Sequence, residues 1–247
     1  MNLATLVIAV SPPTAPKSAM RAFAKVENRE VFMRTIEIYT PRDQVTQRVL
    51  CVGIDDLQMV SEKYSAHLGF QGVNVTAGGP DWFGVVARGL EKLNADIDTV
   101  IIHDACRPAV PFTLLDAMEA AMEKPGVAGV VPVISVRGSF AMLNGDKTAG
   151  EWIDMAGVVE VQSPQIFKRS VLQAAYAKRA GVAAVDDAEL VLQTGAAGKE
   201  RVITLEGSRF NERIDGDDAV RLAPDLLGHL PKPRSKTPIT PFDEAQW

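Results

Sequence analysis

Short, almost uninterrupted apolar runs recur along this chain, and amphipathic stretches of helical spacing separate them. The runs are Leu3–Val10, Arg48–Ile54, Gly72–Thr76, Thr99–Ile102 and Ala128–Ile134. A strand buried on both faces reads this way, whereas a half-exposed strand alternates apolar with polar. Between the runs, Val31–Tyr39 places Val31, Phe32, Ile36 and Tyr39 at helical spacing. Asp55–Leu68 opens on acidic residues and repeats Leu57, Val60, Tyr64 and Leu68 on one face, as a helix does. Trp82–Leu93 and Pro111–Glu123 read as further helices. The alternation predicts an α/β fold, a Rossmann-like, mostly parallel sheet with helices on both faces. Such sheets take ligands beyond the carboxyl ends of their strands. Functional residues are therefore expected just after Val10, Ile54, Thr76 and Ile102.

The rhythm breaks once. Val136–Ile153 is polar, with Gly138, Gly145 and Gly150, and predicts an extended hairpin or arm over about 135–157. It then resumes with helices over Phe167–Arg179, Asp186–Gln193 and Asp217–Leu227, and a strand over Arg201–Leu205. Residues 1–230 thus read as one α/β domain. The tail, 231–247, holds four prolines and several charges and reads as an exposed, mobile extension.

Composition narrows the class of function. The chain has 247 residues, 47% of them hydrophobic, and this apolar content excludes a disordered chain. A net charge of −5 carries no basic excess and argues against nucleic-acid or membrane-surface binding. No stretch reaches the roughly 18 apolar residues of a membrane span. Cys51 and Cys106 stand far apart, and the three histidines (His67, His103, His229) are scattered, so neither a disulfide framework nor a histidine metal site is legible. A reduced, cytoplasmic protein is expected. The glycines are unevenly spread. Of 19 in the chain the first is Gly53, where an even spread would place about four in the first 52 residues. The N-terminal segment therefore has no glycine-rich turn.

The strongest local signal is Val100-Ile101-Ile102-His103-Asp104-Ala105-Cys106-Arg107-Pro108, an apolar strand ending in a carboxylate with a cation three residues on. Two readings stand side by side. Asp104 could hold Mg²⁺ against a nucleotide phosphate, or it could cap the loop and pair with Arg107. Lys17, Arg21, Lys25 and Arg29 recur every fourth residue after Pro16. On a helix they would make one cationic stripe, facing either a triphosphate, an acidic partner or solvent.

Several motifs in order resemble one family, the 2-C-methyl-D-erythritol 4-phosphate cytidylyltransferases. Asp104-Ala105-Cys106-Arg107-Pro108 resembles its Asp-Ala-Ala-Arg-Pro signature, and Thr76-Ala77-Gly78-Gly79 the turn before its base-binding helix. Pro132-Val133 resembles the start of its dimer arm, and Ser163-Pro164-Gln165-Ile166-Phe167 its Thr-Pro-Gln-x-Phe motif. Asp186-Asp187-Ala188 and Leu205-Glu206-Gly207-Ser208, followed by Asn211-Glu212-Arg213-Ile214, match later pieces. The resemblance implies transfer of CMP from CTP to a sugar-alcohol phosphate of isoprenoid precursor synthesis, with release of pyrophosphate. It implies Mg²⁺ as cofactor with Asp104 as its ligand, and a homodimer formed through the arm. Catalytic roles fall on Asp104, Arg107, Arg21 and Arg213, nucleotide binding on Ala9, Lys17, Gly79 and Ala105, and substrate binding on Ser163, Arg107 and Arg213.

This sequence also departs from the pattern. Where the family carries Ala-Ala-Gly-x-Gly-x-Arg, it has Ile8-Ala9-Val10-Ser11-Pro12-Pro13-Thr14. A phosphate cradle needs close backbone approach and free N–H groups; here both glycines are gone and two prolines remove N–H donors. The family's following Pro-Lys aligns with Met20-Arg21 or with Pro16-Lys17. Its base-reading Asp and Ser become Pro80 and Val85, the arm's Asp-Thr becomes Ser135-Val136, and its cross-dimer Arg becomes Met155. Val185 stands for a Thr, and Arg213 for a Lys. Two functions stay open: a Mg²⁺-dependent cytidylyltransferase or relative, and a non-catalytic paralogue keeping the fold for nucleotide binding, regulation or interaction.

Overall fold

A computed structural model of the chain describes residues 1–230; the predicted tail lies outside them. The strands are β1 Leu3–Ala9, β2 Lys25–Val26, β3 Arg29–Glu30, β4 Val45–Gly53, β5 Val73–Gly78, β6 Thr99–Asp104, β7 Val127–Ser135, β8 Phe140–Leu143, β9 Ala149–Ile153, β10 Val159–Val161, β11 Gln165–Lys168 and β12 Arg201–Glu206. The α-helices are α1 Val31–Glu37, α2 Leu57–Phe70, α3 Trp82–Glu91, α4 Phe112–Met122, α5 Arg169–Ala177, α6 Asp187–Gln193 and α7 Gly216–Gly228.

The main sheet has eight strands in the order β10-β7-β11-β6-β1-β4-β5, with β12 also on β7. β5, β4, β1 and β6 are parallel neighbours, and β12 runs parallel to β7. β11 is antiparallel to both β6 and β7, and β10 is antiparallel to β7. Alternate residues of β1 face opposite layers. Leu3 and Val7 join a core with Phe32, Tyr39 and Leu115, while Leu6 and Ile8 join another with Val85, Phe167 and Leu172. The double burial explains why the strands are apolar at successive positions. Because β1, β4, β5 and β6 run parallel, Ala9, Gly53, Gly78 and Asp104 come out at one end of the sheet.

Two expectations need correction, and three short strands were not foreseen. The stretch Phe167–Arg179 begins as strand: Gln165–Lys168 fills the gap between β6 and β7, with Phe167 fully buried, before α5 starts. Burial in the sheet overrides local helix propensity there. The short strands β2, β3 and β10 had no periodic signature at all. Lys17, Arg21, Lys25 and Arg29 do not share a helix face. Lys17–Ala19 is a single 3₁₀ turn, and Lys25 and Arg29 lie on a two-residue-turn hairpin. Backbone bonds Phe32 N–H to Ala22 C=O and Val31 N–H to Ala24 C=O pull this segment inward, burying Ala22 and Val26. Each hairpin cation is also neutralised, Lys25 by Glu30 and Arg29 by Glu37.

The hairpin turn sits in the glycine-free region. Glu27 and Asn28 adopt φ of 48° and 64°, the left-handed pair that a type I′ turn needs and that glycine would satisfy at least cost. The predicted arm is a separate two-stranded hairpin of β8 and β9. It leaves Met142, Leu143 and Trp152 58%, 71% and 67% exposed. Among the described residues no helix is long and apolar enough to cross a membrane.

Candidate functional site

A cavity of about 710 Å³ opens at the carboxyl ends of β1 and β6. One wall comes from the Asp104–Arg107 turn, from Glu160–Ser163 at the end of β10 and just after it, and from Glu212–Asp215 leading into α7. The other comes from Pro12, Thr14 and Ala15 after β1, from Trp82, and from Val185–Asp187.

The first wall is a lattice of short hydrogen bonds. Asp104 ends β6, and its backbone N–H donates to Ser163 Oγ at 2.8 Å. Its Oδ1 accepts the Cys106 N–H at 2.9 Å, and its Oδ2 accepts Arg213 Nε at 2.5 Å. Asp104 and Arg213 side chains are 4% and 8% exposed. Arg213 also reaches Asp215 through Nη1, and its Nη2 is buried with no partner among the described residues. Arg107 Nη1 donates to Asn211 C=O at 2.6 Å, with Glu160 3.7 Å from Nη2. Ile214 N–H donates to Cys106 C=O, and Asn211 Nδ2 to Ser163 C=O, each at 2.7 Å. The segment before α7 is thereby strapped across the end of β6.

His103 fixes the turn from beneath. Its Nε2 lies 3.0 Å from Arg107 C=O, an acceptor only, so the proton sits on Nε2. Nδ1 then accepts from Tyr39 O–H at 2.7 Å. Burial pushes the imidazole down to about 3, so it is a neutral brace. Thr35 Oγ1 donates to Ala105 C=O at 2.8 Å, and Ala105 N–H to Ile8 C=O at 2.9 Å.

The second wall differs in kind. Ala15 N–H closes a turn onto Pro12 C=O, and Ser11 O–H donates to Pro16 C=O. The loop after β1 folds over the strand ends with its three prolines lacking donors and the Ala15 donor spent internally. Behind it, Asp187 accepts Trp82 Nε1–H at 2.8 Å and Tyr176 O–H at 2.6 Å. Burial pushes this carboxyl up to about 6, outweighing both hydrogen bonds. Asp186 caps α6 by accepting the Glu189 N–H. At the β5–α3 turn, a Cβ on Gly78 would lie 2.4 Å from Val85 Cα, so only glycine permits that approach. Val85 itself is fully buried.

The structure therefore brings Asp104, Arg107, Ser163 and Arg213 together, and leaves other expected residues aside. Arg21 Nε pairs with Asp217 at 3.0 Å, and its Nη1 with Ser18 and Met20 carbonyls. Neither Arg21 nor Lys17 lines the cavity, nor do Ala9, Gly79 or Ala105. Ala9 and Ala105 are buried structural positions. Glu160, Asp215 and the Trp82–Asp187–Tyr176 cluster were not singled out from the sequence. Asp187 stood inside a quoted motif and Trp82 at the start of a predicted helix, but Tyr176 had no motif to mark it.

A divalent cation on Asp104 is implied by the resemblance, and the carboxylate does not fit one. Both oxygens are engaged, one by a guanidinium, and the group is almost fully buried. Among the described residues no three His, Cys, Asp or Glu side chains cluster so as to hold a metal.

The sequence model of the family described as IspD, 2-C-methyl-D-erythritol 4-phosphate cytidylyltransferase, matches residues 13–226. The chain belongs to this family. It is 31% identical over 207 residues to the 2-C-methyl-D-erythritol 4-phosphate cytidylyltransferase of Frankia casuarinae, covering 84% of this chain and 74% of that one. It is 26% identical to the Bacillus pumilus enzyme of the same description, over 84% and 88%. The crystal structure of the Thermus thermophilus 2-C-methyl-D-erythritol 4-phosphate cytidylyltransferase superposes with a TM-score of 0.73 at 26% identity, covering 92% of this chain and 100% of that one. A synthase from Anaerococcus prevotii shares the fold with a TM-score of 0.74 at 18% identity, over 92% and 98%. The family match thus spans both cavity walls, from Pro13 onward.

Proposed function

We propose that this member of the family transfers CMP from CTP to 2-C-methyl-D-erythritol 4-phosphate, in the cytoplasm, as a homodimer. The observation that carries the reading is the convergence of Arg107, Arg213 and Ser163, from three separate segments, on one cavity at the strand ends. A phosphate oxygen of the acceptor attacks the α-phosphorus of CTP. One P–O bond forms, the α–β bridge bond breaks, and pyrophosphate leaves with the electron pair. Since the nucleophile is already an anion, the protein's task is positioning and charge stabilisation. Ser163 and Arg107 hold the acceptor phosphate, and Arg213 faces the reacting phosphoryl group. A divalent cation carried by the nucleotide would add charge stabilisation at the triphosphate, and Asp104, with both oxygens engaged, is not free to hold it in its place. The exposed Met142, Leu143 and Trp152 of the arm give a second copy an apolar surface. One domain over 1–230, with the arm as its dimerisation element, is the organisation this reading takes.

Pyrophosphate release from CTP, the acceptor and Mg²⁺ tests it, with thermal shift measured in parallel. Arg107→Ala is expected to lower kcat/KM by about 10²–10³. A CTP-induced thermal shift without pyrophosphate release would instead establish the non-catalytic paralogue. Neither signal with any nucleoside triphosphate would overturn nucleotide handling altogether.

A further inference from the structure

We propose that Arg213 permanently occupies the cation position at Asp104, so that Asp104 is not a metal ligand in this protein and any divalent cation rides on the nucleotide alone. The inference is about the end of β6 and rests on geometry that holds whichever nucleotide the cavity takes.

Three observations support it. First, Arg213 lies between two carboxylates, Asp104 through Nε and Asp215 through Nη1. The guanidinium fills the space between them, as a bridging cation would. Second, the backbone that carries Arg213 cannot swing away freely. Ile214 is tied to Cys106, Asn211 to Arg107 and Ser163, and Asp215 bridges to Met20. Third, Mg²⁺ demands close octahedral coordination at about 2.0–2.1 Å and gives up its waters reluctantly. At 4% exposure, and with both oxygens already hydrogen-bonded, the Asp104 carboxylate presents almost no surface to a hydrated ion. Exchanging the guanidinium for Mg²⁺ would also strand a buried arginine already short of one partner at Nη2, a costly outcome.

The contrast with the family signature is one of residue length and shape. A lysine holds a carboxylate as a flexible point charge, whereas an arginine presents a planar fork to two acceptors at once. With Arg213 at the position where the family resemblance expects lysine, the fork links Asp104 to Asp215 and holds both carboxylates at once.

Manganese, used as an electron-paramagnetic-resonance probe of free Mn²⁺, tests this on the full chain. Wild type and Asp104→Asn are expected to leave free Mn²⁺ equally unchanged. Arg213→Gln places two unneutralised carboxylates side by side and is expected to take up Mn²⁺, an uptake lost again in Asp104→Asn/Arg213→Gln. Arg213→Lys serves if the glutamine variant does not fold, and is expected to take up Mn²⁺ more than wild type does. In a second measurement, CTP affinity is compared with and without Mg²⁺, and the gain from Mg²⁺ is expected to be the same in wild type and Asp104→Asn. Mn²⁺ uptake by wild type that vanishes in Asp104→Asn would overturn the proposal. So would a loss of about tenfold or more of the Mg²⁺ gain in that variant, the size expected when a metal contact is removed. Should the chain bind no CTP in either condition, the proposed function fails while the Mn²⁺ titration still decides this inference.

Discussion

Asp104 and Asp187 face the same cavity at nearly the same burial, 3% and 2% exposed, but in opposite company. Asp104 has a guanidinium on one oxygen and a backbone amide on the other. Asp187 has an indole and a phenol, both neutral. A buried carboxylate with a countercharge keeps its charge inside the protein, whereas one with neutral donors resists ionising. The difference separates the two walls. The wall built on the Asp-Ala-Cys-Arg-Pro turn is a lattice of paired charges, and the wall built from the proline loop and α3 holds its buried carboxylate with uncharged donors alone.

The comparison breaks most readily at Arg213. Arg213→Ala leaves Asp104 buried without a cation and is expected to cost about 3–5 kcal/mol of stability in urea unfolding, with Asp104→Ala/Arg213→Ala recovering part of it. A loss no larger than that of a surface substitution would remove the distinction between the walls. Asp187 should show the opposite behaviour with pH. Its folded-state value of about 6 lies above the ordinary carboxylate value of 3.8, so the folded state binds the extra proton. The stability it confers is present below about pH 4 and is lost as pH rises through 6, an effect of about 2–3 kcal/mol. Asp187→Asn can keep both hydrogen bonds, accepting from Trp82 and donating to the Tyr176 oxygen. Relative to wild type it is expected to gain stability between pH 4 and pH 8 by that amount, whereas a pH-independent difference would contradict the assignment.

Smaller changes sharpen the contrast. Thr14 lines the second wall where the family pattern carries arginine. Thr14→Arg is expected to tighten CTP binding by about tenfold, read by calorimetry, because one charge-assisted bond to phosphate is worth about 1.4 kcal/mol or more. Smallest is the glycine-free hairpin. Glu27→Asn with Asn28→Gly supplies the residues its left-handed turn prefers and is expected to stabilise by about 0.5–1 kcal/mol, seen as a raised Tm.

The sheet was legible because burial on both faces forces apolar runs, and Leu3–Val10 or Thr99–Ile102 admit few other readings. β11 was missed because Gln165–Lys168 is four residues long and continues directly into α5; only its neighbours make it a strand. On the site, Asp104, Arg107, Ser163 and Arg213 were legible as motif residues, each within a short run that keeps its spacing. Their pairing was not. Nothing local says that Arg213 bonds Asp104 in preference to a ligand, or that Arg21 turns to Asp217. The cationic stripe failed for the same reason, since spacing by four describes a helix only if the backbone is helical. Trp82, Tyr176 and Asp187 converge through three different helices, and such long-range polar contacts leave no periodic trace in a sequence.

Asp104 leaves the ribosome well before the residue that neutralises it. Arg213 follows 109 positions later, about 5–20 s at ordinary rates of synthesis. During that interval β6 can already pair with β1 and β1 with β4, yet the carboxylate at its end has no countercharge. A growing chain must keep that end of the sheet hydrated until Arg213 arrives. A chain stopped after Glu206 would hold all twelve strands and still lack the charge that lets the strand ends close. Closing the strand ends is therefore an electrostatic act, and it falls to one arginine.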